Sequence, residues 1–218
     1  MSLLWFGRIY ITKHFPFFGA YESSITILFS TGIVSIYFYI KKKLPSFFLY
    51  PFLSLGFLFH SSFYSTNIWA MTISEKSIVV YMHIIFAYLS FALNFLNFSF
   101  SISKIIKEEL KISLLEIILN FYIFYTIMLV LGFFYRFLLF GKIISFDPIE
   151  TIHLSIFLIY TTLIHISYFK KWREEKIAKY QIFCFLIFVI AYRIILLFPP
   201  EATYHIIDIE LRMHIIPK

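Results

Sequence analysis

The chain has 218 residues and a net charge of +7; 61% of its residues are hydrophobic, 22% aromatic and only 14% charged. A soluble domain of this size has too little polar surface to cover so much apolar material, so the composition indicates an integral membrane protein. The single cysteine, Cys184, excludes a disulfide framework, a C-x-x-C redox pair and a C-x-x-C-H haem attachment site in the chain itself.

Residues 1–23 set Trp5, Tyr10, Phe15, Phe17, Phe18 and Tyr21 around Arg8, Lys13 and Pro16. That mixture predicts an outer interfacial segment, not a span, and it lacks a cleavable signal pattern. Hydropathy then predicts an all-α bundle of about six transmembrane helices at 24–40, 45–64, 79–103, 114–138, 149–169 and 180–198. Basic residues gather at three junctions, Lys41 to Lys43, Lys104 to Lys111 and Lys170 to Lys179, which the positive-inside rule makes cytoplasmic. Both termini and the loops 65–78 and 139–148 are then outside, and 1–218 reads as a single transmembrane domain. This topology accounts for the positive charge without a nucleic-acid partner. No internal repeat or soluble domain is visible, and no span is broken near its midpoint by paired Gly or Pro as in many transporters.

Function is argued from the histidines, because imidazole in a bilayer needs a partner and metal or haem iron is a common one. His83 falls about one turn into the third span and His205 just beyond the sixth, both on the outer side. Two histidines converging from different helices, with the apolar 139–148 loop between them in sequence, suit axial ligation of a planar haem. The alternative is that each is an interfacial histidine bonded to water or a carbonyl. His165 is expected to be a buried histidine roughly 27 Å deeper than Asp147, near the cytoplasmic end of the fifth span. No other histidine of the chain is expected near the cytoplasmic side, so a partner subunit is the natural source of any ligand opposite it. His60 and His153, near outer span ends, suit packing or the support of a liganding group, with packing favoured, and His14 and His214 read as solvated.

The loop carries a recognisable pattern. Phe140-Gly141-Lys142-Ile143-Ile144-Ser145-Phe146-Asp147-Pro148-Ile149-Glu150-Thr151 resembles the signature W-G-x-x-W-x-W-D-P-K-E-T of cytochrome c assembly proteins of the CcsA or ResC type. His14-Phe15-Pro16 with Tyr21-Glu22-Ser23 is similar to that family's H-F-P-x-x-x-x-Y-E-S segment, and Tyr81-Met82-His83 to its L-H-V motif. Leu163-Ile164-His165 and, after Pro199-Pro200 and Tyr204, His205 stand at the positions of its later histidines. Two departures stand out: Phe140, Ile144 and Phe146 replace the tryptophans, keeping an apolar surface without indole donors, and the chain reads as short ahead of His14.

The resemblance implies haem handling. Haem b would be transient cargo, carried through the bacterial inner membrane with a ResB or CcsB partner and presented at the outer face for attachment to apocytochrome c. It implies His83 and His205 as outer ligands of the haem iron and His165 as one ligand of a transit site. The loop, with Phe140, Gly141, Ile144, Phe146 and Asp147, would be the haem shelf. Arg136 and Lys142 would stand beside it to pair with propionates, although Arg136 equally suits a helix anchor. Asp147 and Glu150, with Pro148, read as the cap of the fifth helix. The chain would then be a component of a cytochrome c haem lyase. The other classes are a b-type haem-binding or a haem-free structural subunit of a membrane respiratory complex.

Overall fold

The computed structural model describes residues 2–12, 15, 17, 20–42, 77–106, 112–144 and 146–195. Among them are six helices and no strand: α1 Ser2–Thr12, α2 Ala20–Lys42, α3 Ile78–Ile105, α4 Leu114–Phe140, α5 Pro148–Phe169 and α6 Glu174–Ile195. Four stretches, Tyr21–Ile40, Ile78–Ile105, Leu114–Phe140 and Pro148–Phe169, are long and apolar enough to cross a membrane. The protein is therefore an all-α, multi-pass membrane protein. The expected span at 45–64, with His60, lies outside the described residues, as do His14, His205 and His214.

Each helix turns one stripe inward. On α5 the buried positions are Ile156, Tyr160, Leu163 and Ser167, one per turn along one face. On α4 they include Leu114, Ile118, Phe121, Tyr125 and Met128. Helices α3 and α4 pack side by side, and α6 closes against α3 and α5. Side-chain contacts fix the directions. Tyr88 near the start of α3 bonds to Ser23 near the start of α2 at 2.9 Å, and Phe38 meets Phe100 near their far ends at 6.1 Å. These two helices therefore run the same way, so the ends joined by residues 43–76 lie at opposite ends of the bundle.

One element adds to the sequence expectation and one differs from it. The first interfacial segment contains a helix, α1, of 11 residues, about 16 Å and too short to cross a bilayer. It is fastened to α2: Trp5 Nε1–H donates to Thr26 Oγ1 at 3.1 Å, and Arg8 pairs with Glu22 at 2.7 Å. The last helix begins at Glu174, ahead of the apolar window at 180, because Glu174 and Glu175 suit a helix N-terminus and Glu174 pairs with Lys104. Hydropathy sees the apolar part of that helix and misses its charged first turns.

Candidate functional site

The start of α3 and α5 and the end of α4 meet at one end of the bundle, and the loop from Phe140 to Asp147 crosses there. Gly141 ends α4 in the left-handed region at φ 66°, its N–H returning to Phe137 O at 2.9 Å. Phe146 is also left-handed, at φ 56°, which costs a side-chain-bearing residue about 1–2 kcal/mol. The next turn holds it from both sides: its N–H donates to Glu150 Oε2 at 3.1 Å, and Thr151 Oγ1 donates to its carbonyl at 3.2 Å. Asp147 caps α5, with Oδ1 accepting from the Glu150 N–H at 2.8 Å and Pro148 in the first turn.

Arg136 locks this corner. Only 6% exposed, it reaches back from α4 to Asp147 at 2.9 Å and to Glu150, and its guanidinium lies 5.8 Å from the centre of the Phe140 ring. Of the two roles open to Arg136, these ion pairs suit the helix anchor. The result is a rigid mount that turns apolar side chains outward: Phe140, Ile143, Ile144 and Phe146 are exposed, Phe146 by 73%. Lys142 is exposed among them.

His83 sits beside this corner. Its Nδ1 is 2.8 Å from the Met128 carbonyl, which only accepts, so Nδ1 carries the hydrogen. Gly132 makes room for it. A Cβ at that position would stand 2.9 Å from His83 Cε1 and 3.1 Å from Nδ1. His83 lines a cavity of about 200 Å³ together with Tyr88, Met128, Ile149, His153 and Tyr192. His153 contributes a second imidazole, its Nδ1 2.8 Å from the Tyr125 hydroxyl.

The sequence model of the family described as cytochrome C assembly protein matches residues 17–199. The chain belongs to the cytochrome c assembly protein family. No curated protein matches it. Membership places the chain in c-type cytochrome biogenesis and, with it, in haem handling.

In this cytochrome c assembly protein His165 is not buried. It lies two residues from both Leu163 and Ser167, which face inward, so the helical rotation of about 100° per residue turns it to the opposite face. There it is exposed and packs against Phe169 at 4.7 Å. His83 and the loop therefore share one end of the bundle, while His165 stands apart on its outer surface. Gly132, the Met128 carbonyl and Tyr125 were not singled out by sequence. The signal for Gly132 was present, since it is the one glycine within the span 114–138.

Proposed function

We propose that this protein is the haem-presenting subunit of a cytochrome c synthase in the bacterial inner membrane, with both termini on the outer side. The observation that carries the reading is the exposed apolar loop beside His83, whose bond to the Met128 carbonyl is one that a packed interfacial histidine and a metal ligand share. Metal-binding histidines usually make that second hydrogen bond, which orients the ring and leaves Nε2 for the metal. His83 and His205 would be the outer axial ligands, and Phe140, Ile144 and Phe146 would carry the porphyrin face. Gly141 and Asp147 fix the ends of the shelf, and Lys142 is the cation presented to the propionates. The cargo is haem b.

On this reading the chain aligns and does not exchange protons. A cysteine S–H of apocytochrome c adds across a haem vinyl C=C, sulfur to one carbon and hydrogen to the other, so nothing leaves and alignment dominates. His165, facing out of the bundle, would supply one ligand of the transit site, and a ResB or CcsB partner the other. The described cavity is smaller than the ~300–1,000 Å³ of small-molecule pockets, so it would form one wall of the haem site, not the whole.

One observation favours a second reading. His83 and His153 line the same cavity, as the two ligands of a resident b-type haem would. The visible spectrum separates the two. The purified protein would be compared alone and co-expressed with a ResB-type partner, as wild type, His153→Ala and the His83→Ala, His205→Ala double variant. We expect haem with the partner, loss in the double variant and retention in His153→Ala. Tightly held haem without the partner, lost in His153→Ala, would establish the b-type subunit instead. Haem-free preparations throughout would leave a structural subunit.

A further inference from the structure

About midway along α3, α5 and α6, the bundle buries polar side chains that haem presentation does not use. Asn94, Asn97 and Gln181 are 0% exposed and Tyr160 is 1% exposed. Tyr160 Oη donates to Asn94 Oδ1 at 2.6 Å, and Gln181 Nε2 donates to the same oxygen at 3.1 Å and lies 3.3 Å from Tyr160 Oη. As placed, Asn94 Oδ1 accepts from both groups, and its Nδ2 points away from them. Among the described residues no partner meets Asn94 Nδ2, either polar atom of the Asn97 amide, or Gln181 Oε1. Asn97 is one turn from Asn94 along α3, and Ser167, about two turns from Tyr160 along α5, adds another buried hydroxyl without a partner.

Each such group left bare costs about 1–3 kcal/mol, and surrounding hydrocarbon offers no substitute bond. The chemistry of these groups selects what satisfies them. A cation takes only acceptors, an anion only donors, and an apolar ligand neither, whereas this cluster offers donors from Asn94 and Asn97 beside acceptors from Asn97 and Gln181. Water both donates and accepts, and buried water typically makes two to four such bonds.

The geometry points to a binding site for internal water at the Asn94–Asn97–Tyr160–Gln181 cluster, inside the bundle and separate from the cavity at His83. None of the four cluster residues lines that cavity. Phe91, which lines the cavity, packs on Phe188 at 4.8 Å, and Phe121 packs on Tyr160 at 4.5 Å. Bound water would let this seam keep amides at mid-depth in the bundle.

X-ray hydroxyl-radical footprinting of the purified full-length chain tests this, because the pulse makes radicals from bound water and marks the side chains touching it. Tyr160 is expected to be modified severalfold faster than Phe121 and Phe100, which are as deeply buried. Asn97→Leu with Gln181→Leu is expected to lower the Tyr160 rate to that of the two phenylalanines. A Tyr160 as slow as Phe121 in the wild type would show a dry cluster and overturn the site, whatever the variants do. A fast Tyr160 unaffected by the substitutions would overturn it too, since the radicals would then come from bulk access.

Discussion

At Gly132 a single missing carbon decides where an imidazole can lie. Alanine there gains about 1 kcal/mol of helix propensity, while forcing extra volume into a packed contact costs about 1–3 kcal/mol. Gly132→Ala should therefore shift stability by no more than about 2 kcal/mol and yet displace the His83 ring, whose Cε1 would lie 2.9 Å from the new methyl. We expect the Soret band of the partner-bound protein to fall as far as in His83→Ala, with little change in melting temperature. An unchanged Soret band would mean that the position of this ring is not needed for haem. The contact joins residues 49 apart, and no local pattern in the sequence announces it. The cap at Asp147, by contrast, bonds to a residue three positions on and was legible in the spacing.

Among the elements, the α4–loop–α5 corner divides into parts that point in and parts that point out. Arg136, Asp147 and Glu150 are buried together, so removing the cation strands two carboxylates away from water. Breaking a buried pair in this way costs about 3–5 kcal/mol. Arg136→Met is expected to lower thermal stability by that order and expose the loop to proteases, whereas Lys142→Met, on the exposed side, should change neither. Equal effects of the two, measured by helical circular dichroism and limited proteolysis, would show that the ion pair does not hold the corner. Phe140, Ile144 and Phe146, which stand where the resemblance puts tryptophans, are all exposed. The spans predicted at 79–103, 114–138 and 149–169 lie within the observed α3, α4 and α5 to a residue or two, because hydropathy and helix length coincide there. His165, expected to be buried, is exposed, because depth along a helix is independent of the face a residue takes, and Leu163 and Ser167 on either side hold the inward one.

Over the whole molecule the chemistry is polarised. Lys104, Lys170, Lys171, Arg173, Lys176 and Lys179 cluster at the end where α3 stops and α6 starts, and the ion pair between Lys104 and Glu174 ties that end together. Arg136, Lys142 and the loop are at the other. If the basic end faces the cytoplasm, as the positive-inside rule requires, a Cys184→Ala protein carrying Lys142→Cys should label from outside intact cells. The same protein carrying Lys171→Cys should label only after permeabilisation. The reverse pattern would invert the proposed topology. The outward turn of His165 has one more consequence at this scale. Among the described residues the inside of the bundle is filled by Phe121, Tyr125, Tyr160 and their neighbours, so the described helices form a wall and not a tunnel. A flat molecule travelling from the level of His165 to that of His83 would have to climb the outside of that wall, along a seam whose other side is lipid or a neighbouring protein.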